Sequence, residues 1–231
     1  MGRLAVARHA ALLAAGAQPW LGPDEEARAQ GLAPAARAAF AASRLLLRRL
    51  LEQSTGVAAS RWALSAQAGR APVASLRDAG GPAPAVSLSH RLDWVAAAAG
   101  DAQAGAIGVD LECRRPSRSP AGERAALMLS ANELTAWREL PDAAREPALL
   151  RAWVAKESWF KAAPEGAAPW DFRLIDAEAC DAARANVRVW HAGPLFVGLC
   201  CADSRALARF VCEGLPEGEV DESSWRVGAA A

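Results

Sequence analysis

Residues 106–113, AIGVDLEC, constrain the fold more tightly than any other stretch of the chain. Apolar Ile107, Val109 and Leu111 alternate with Gly108, Asp110 and Glu112, the period of a strand with one face in a core. The other face then carries two carboxylates side by side. Like charges held close repel, and burial strips their hydration. Such a face must therefore lie wet at the surface or be supplied with protons, basic partners or a bound cation. On these eight residues alone both readings stand.

A second stretch bears on that choice. In ALLRAWVAKESWFK, residues 148–161, a helical turn of 100° per residue puts Leu150, Val154, Glu157 and Lys161 on one stripe, flanked by Trp153 and Phe160. A Glu–Lys pair four residues apart is ordinarily a surface stabiliser worth about 0.3 kcal/mol. Framed by Trp153, Val154 and Phe160, this pair is expected to face a cavity instead. Three acids directed at one cavity, with lysines beside them, suggest a hard cation such as Mg²⁺ and a phosphate-bearing ligand that completes its oxygen shell.

Around these stretches the chain reads as a mixture of helices and strands. RLAVA is expected to be a first strand, and GPDEEARA starts a short helix with Pro23, Asp24 and further acids at its head. A longer helix is expected from Pro34 through Glu52, stopped by Gly56. Phe40, Leu47 and Leu51 share one side of it, and Arg37, Arg44 and Arg48 another. No acid within the helix is expected to pair with these arginines, which read as a solvated basic face, or as a row that holds phosphate. Residues 68–85 are rich in Gly, Pro and Ala and mark a loop. In VSLSH, alternation predicts Val86 and Leu88 inward and Ser87 and Ser89 outward. WVAAAAG and AIGVDLE are expected to form a hairpin around GDAQAG. After the loop RRPSRSPAGE, ERAALMLSANELTAWREL is helical, PDAAREP reads as a break, and FRLI, NVRVWHA and PLFVGLCCA read as strands. Both ends are expected to fray. The expected fold class is α+β, with a long helix followed by strands in each half.

Composition narrows the function classes. Basic and acidic residues balance at 26 each, so net charge argues for neither nucleic-acid nor membrane binding. Five cysteines and three histidines show no metal-ligand spacing, and the chain is expected to be cytoplasmic with reduced thiols. ARHAALLAAGAQ near the start makes a poor signal peptide, and no stretch approaches the ~20 apolar residues of a membrane span.

GVDLE (Gly108–Glu112), followed about forty residues later by WVAKESWFK (Trp153–Lys161), resembles the paired signature of the 4′-phosphopantetheinyl transferases, G-[IV]-D-[ILV]-E and then W-x-x-K-E-[AS]-x-x-K. SLSH (Ser87–His90) resembles the family's Ser-His element, SRLLLRRLL its arginine-bearing helix, and GRAP (Gly69–Pro72) its G-[KR]-P loop. These elements follow the family's order. The length resembles the monomeric, two-lobed type that activates peptide and polyketide synthetases, the surfactin-synthetase-activating type.

The resemblance implies two similar α/β lobes related by a pseudo-twofold, with the active site in the cleft between them. Residues 1–105 would form the lobe that contacts the nucleotide of coenzyme A, and residues 106–231 the lobe with the metal and catalytic motifs. It implies transfer of 4′-phosphopantetheine from coenzyme A to a serine of an acyl- or peptidyl-carrier protein, releasing adenosine 3′,5′-bisphosphate. Mg²⁺, or Mn²⁺, would be held by Asp110, Glu112 and Glu157. Glu157 is the implied base, Lys161 a catalytic ammonium that also contacts the cofactor, and Glu133 a further catalytic acid. Arg44, Arg70, Ser89, His90 and Lys156 would bind coenzyme A. The alternative is a relative that binds coenzyme A or a carrier without turnover. It is motivated by departures from the family pattern: AAPEGAAP after Lys161 in place of a Gly-rich turn, Arg91 and Leu92 after the Ser-His element in place of a small residue and glycine, and an extra alanine in GRAP.

Overall fold

The structure is a computed structural model, and it describes residues 2–14, 21–77, 83–100, 104–116, 119–164 and 166–230. The chain opens with β1 (Arg3–Arg8), α1 (His9–Ala14), α2 (Pro23–Gln30) and α3 (Pro34–Thr55), followed by the short strands β2 (Trp62–Leu64) and β3 (Ala74–Leu76). β4 (Val86–Arg91), β5 (Trp94–Ala99) and β6 (Ile107–Cys113) come next, then α4 (Ala121–Met128), α5 (Ala131–Glu139) and α6 (Asp142–Ala162). The last third holds β7 (Ile175–Ala179), β8 (Val187–Ala192), β9 (Leu195–Cys201), α7 (Ser204–Ala208), β10 (Val211–Glu213) and β11 (Val220–Ala229). This is an α+β fold. No helix among the described residues is long and apolar enough to cross a membrane.

Two sheets carry the architecture. One has the order β10-β1-β5-β4, antiparallel except for the parallel β1–β10 pair, and the other the order β6-β9-β8-β11-β7, antiparallel throughout. Alternation along the strands sorts the core into layers. Ala5, Val95, Ala97 and Ala99 pack with Leu45, Leu47 and Leu51 of α3, whereas Leu4, Val6, Trp94, Ala96 and Ala98 meet Val109, Leu111, Val197 and Leu199 of the second sheet. Beyond that sheet, Phe196, Val187 and Val189 pack on Leu150, Val154 and Ala155 of α6. The succession is therefore helix, sheet, sheet, helix, a common way to cover both faces of two sheets.

The edges of the two sheets meet at β4 and β6, and here the structure corrects the expectation for VSLSH. Ser87 and Ser89 are buried, while Val86 and Leu88 pack partly buried toward α3. The Ser87 hydroxyl accepts a hydrogen bond from the Val109 N–H at 3.0 Å, and that of Ser89 one from the Leu111 N–H at 3.2 Å. Side chains thus satisfy backbone donors that an edge strand would otherwise leave without partners. The rule of apolar inward and polar outward fails because both faces of β4 are covered.

Other expectations need correction. β5 and β6 are not a hairpin: β5 lies between β1 and β4, and β6 pairs with β9. The tip expected at GDAQAG includes residues 101–103, which lie outside the described residues, as do parts of the segments around 15–20, 78–82, 117–118 and 165. PDAAREP is no break, since α6 starts at Asp142 and carries Pro147 within it. β1 sits between β10 and β5, and β11, half of whose residues are exposed, pairs through 220–225 with β8 and through 225–229 with β7. Within the arginine row of α3, Arg37 is exposed as expected of a solvated face, but Arg44 and Arg48 are buried. Arg48 is fully buried, donates to both carboxylate oxygens of Glu25 on α2 at 3.1 and 2.5 Å, and donates to the Trp62 carbonyl at 3.1 Å.

Candidate active site

The face of β6 that carries Gly108, Asp110 and Glu112 turns toward α6. Contact between strand and helix is as close as main chain permits: a Cβ on Gly108 would lie 2.0 Å from the Ser158 carbonyl oxygen, and one on Gly198 of β9 would lie 2.4 Å from that of Val154. Any side chain at either position would lift α6 off the sheet. With both bare, one turn of α6 brings Glu157 and Lys161 over Asp110.

Lys161 Nζ donates to Asp110 Oδ1 at 2.6 Å, to the Val109 carbonyl at 3.2 Å and to Ser89 Oγ at 3.3 Å. The Ser89 hydroxyl donates to the same Asp110 oxygen at 3.0 Å. Asp110 Oδ2 is buried with no hydrogen-bond partner. Arg91, at the end of β4, lies with its Nε 3.0 Å from Glu112 Oε2. Glu157 makes no hydrogen bond or ion pair among the described residues. Burial, with Asp110 next and Glu112 adding to it against the opposing pull of Lys161, pushes its carboxyl up to about 7. Burial likewise raises Glu112, Arg91 opposing. All three acids line one cavity of about 280 Å³, with Ser89, His90, Arg91, Trp153 and Lys161.

No three His, Cys, Asp or Glu side chains among the described residues are already drawn together as a metal cage. Lys161 and Arg91 hold Asp110 and Glu112 toward themselves. The donor set still fits a hard divalent cation: it is all carboxylate oxygen, it faces one cavity, and Asp110 Oδ2 has an unspent buried lone pair.

Leu88, His90 and Lys161 also line a second cavity of about 480 Å³, so the two adjoin. Its wall is basic and aromatic: Arg28, Arg44, Arg70, Phe40 and Phe160. Arg44 stacks over the Phe40 ring at 4.9 Å and donates to the Ser65 carbonyl at 2.9 Å, but its buried Nε has no hydrogen-bond partner. Burial lowers its guanidinium to about 10, with Glu25 opposing. Burial, and then Lys161, lowers the His90 imidazole. Arg28 escaped the sequence reading because it stands alone on α2. It stacks on Phe40 from 5.4 Å and donates to the carbonyls of Ala66 and Gln67. A third cavity of about 540 Å³ continues past Arg70 and Phe160 to Pro164, Gly166 and Trp170. Exposed Trp170 packs on Phe160 with ring centres 5.2 Å apart, which folds the segment after α6 back along the helix.

The structure places three expected residues elsewhere. Lys156 is fully buried and lines none of these cavities. Its ammonium bonds the carbonyls of Met128 and Phe172 and the Glu133 carboxylate. Glu133 in turn accepts from the N–H groups of Ser130 and Ala177, at 2.7 and 2.8 Å. Expected contact of Lys156 with phosphate, and of Glu133 with reacting atoms, is corrected by this closed network, because both groups spend their bonds joining α5 and β7 to α6. Ser89 reaches Asp110 and β6 and lines the acidic cavity, not the basic one.

The model of the 4′-phosphopantetheinyl transferase superfamily matches residues 106–214, a span that begins at β6 and includes all of α6. Over this segment the chain is similar to the 4′-phosphopantetheinyl transferase superfamily. No curated protein matches the chain significantly. Members of the superfamily transfer phosphopantetheine, use coenzyme A as co-substrate, typically with a divalent metal, and act on carrier proteins. The match covers Asp110, Glu112, Glu157 and Lys161. Arg28, Arg44, Arg70, Ser89 and His90 precede it, so their place in the site rests on geometry alone.

Proposed function

We propose that the chain transfers the 4′-phosphopantetheine arm of coenzyme A to a serine hydroxyl of an acyl- or peptidyl-carrier protein, with adenosine 3′,5′-bisphosphate as leaving group. One observation carries this reading: an acidic cavity built from β6 and α6 adjoins an arginine-lined cavity, with Lys161 and His90 on the walls of both. A diphosphate nucleotide needs that pairing.

Each group has a role. Arg44, Arg70 and His90 hold the phosphate and nucleotide end of coenzyme A, and Arg28 adds positive charge at the same wall. Lys161 is placed to donate from Nζ to a diphosphate oxygen, where charge grows as the phosphorus–oxygen bond to the departing nucleotide breaks. Glu157 accepts the proton of the incoming serine at its carboxylate, which lines the acidic cavity beside Lys161. Mg²⁺ or Mn²⁺ held by Asp110, Glu112 and Glu157 would neutralise charge on the diphosphate. Ser89 orients Asp110, and the Lys156–Glu133 pair orients α6. In this scheme residues 1–105 supply the nucleotide side and residues 106–231 the acidic side, as two lobes of a monomeric, cytoplasmic enzyme.

Intact mass of apo carrier proteins, after incubation with the protein, coenzyme A and Mg²⁺, tests the proposal. A gain of about 340 Da on the carrier that a chelator abolishes is the expected result of phosphopantetheine transfer. An unchanged mass across acyl- and peptidyl-carriers overturns it.

A further inference from the structure

The row Ser87, Ser89, Arg91 on one face of β4 steps along β6, and its third member lands on a carboxylate. Ser87 serves Val109 and Ser89 serves Leu111, so the two edge strands run in the same direction, and Arg91, two residues on, comes beside the end of β6 with its Nε 3.0 Å from the Glu112 carboxylate. The turn fixes that landing. Arg91 pairs with Trp94 across a two-residue turn in which Leu92 takes a left-handed conformation, φ 52°, and the Asp93 carbonyl accepts the His9 N–H at 2.8 Å.

The two cations at the acids are held differently. Lys161 makes three hydrogen bonds, to Asp110, Val109 and Ser89. Arg91 Nε lies 3.0 Å from Glu112 Oε2 as an ion pair, yet it lacks the alignment of a hydrogen bond, and the Arg91 side chain is 37% exposed. A divalent cation entering the cavity meets Asp110 Oδ2 and Glu157 without a resident partner, but must displace Arg91 to reach Glu112. With Arg91 and Lys161 both in place, three ionised carboxylates are already largely neutralised, and a divalent ion leaves the cavity positive. With Arg91 swung out, the ion and Lys161 balance the three acids.

We propose that Arg91 is an internal competitor for the divalent cation at Glu112, so that this chain binds its metal more weakly than the bare carboxylates would. The proposal rests on the transferase reading of the site and concerns how that site is tuned.

Mn²⁺ binding to the full-length, metal-stripped protein, without coenzyme A or carrier, tests it by calorimetry or by the electron paramagnetic resonance signal of free Mn²⁺. Arg91→Gln is expected to bind Mn²⁺ about three- to tenfold more tightly, the range for a partly exposed ion pair. Arg91→Lys, which retains a cation, stays within about twofold of the wild type, and the gain from Arg91→Gln disappears in a Glu112→Gln background. Equal or weaker Mn²⁺ affinity in Arg91→Gln, with the wild-type melting temperature retained, overturns the proposal and leaves the transferase reading standing. Tighter Mn²⁺ binding in a protein that modifies no carrier supports the role of Arg91 and overturns the transferase reading instead.

Discussion

Helix α6 holds two lysine–carboxylate pairs five residues apart, and they behave as opposites. Lys156 and Glu133 form a closed pair: the ammonium has three partners, both carboxylate oxygens are engaged, and Lys156 lines neither the acidic nor the basic cavity. Lys161 and Asp110 form an open one: among the described residues neither the buried Asp110 Oδ2 nor Glu157 beside it has a hydrogen-bond partner, and a cavity faces both. Similar residue types thus do different work according to the valence left over. A satisfied buried pair joins elements together, and an unsatisfied one invites a ligand.

Replacement at each pair should separate the two roles. Asp110→Ala is expected to lower carrier modification at least about a thousandfold, roughly 4 kcal/mol of transition-state stabilisation, while the thermal melt stays cooperative. Comparable loss of melting temperature and activity together would place Asp110 with the structural pair. Lys156→Ala leaves Glu133 buried without its cation and is expected to destabilise the fold by about 3–5 kcal/mol in denaturant titration. The fraction that folds should keep its KM for coenzyme A, and a raised KM with unchanged stability would move Lys156 to the site. Arg44→Ala removes a cation from the basic cavity. It is expected to raise KM for coenzyme A about tenfold with a much smaller change in kcat, as for a phosphate contact made equally in ground and transition states.

Proton linkage offers a gentler test. Because the Glu157 carboxyl is pushed from its ordinary 4.5 to about 7, the folded state binds more protons than the unfolded chain between those values. Stability from this group is therefore present below about 4.5 and lost as pH rises through 7. With a chelator present, the wild type should lose melting temperature relative to Glu157→Gln between pH 5 and pH 8. A difference that is flat with pH would show that Glu157 is not held among uncompensated acids. The smallest effect is expected at the seam: Ser87→Ala leaves the Val109 N–H without its acceptor and should cost about 1 kcal/mol in stability, with KM for coenzyme A little changed.

What the sequence disclosed follows the same division. Asp110, Glu112 and Glu157 stood out because each sits where periodicity demands an apolar or solvated residue and neither demand is met. Periodicity gave each acid a face, and the resemblance between the two motifs and the family signature added support for the strand and the helix meeting at one cavity. Pairs made across distant segments left no local trace. Glu25, which neutralises Arg48, lies 23 residues away on another helix, and alternation could not show that the serine face of β4 meets a second strand edge. Lys156 stands next to Glu157 in sequence but 100° round the helix from it, and its partners Met128, Glu133 and Phe172 come from distant segments that the family resemblance does not reveal. β11 went unnoticed since VDESSWRVG has little apolar alternation and is held by pairing with β7 and β8.

Gly108 and Gly198 leave α6 resting on main chain rather than on side chains. Side-chain contacts can be resized by repacking, but a carbonyl against a bare Cα is a mechanical stop. The gap between the β6 acids and the α6 residues above them is therefore a dimension of the backbone, like the pitch of a thread, and it does not depend on how the apolar residues around it are filled. Exchanges among Leu150, Val154, Val187 and Val189 can raise or lower the stability of the protein without changing the span that the acids present, so durability and site geometry can drift apart independently.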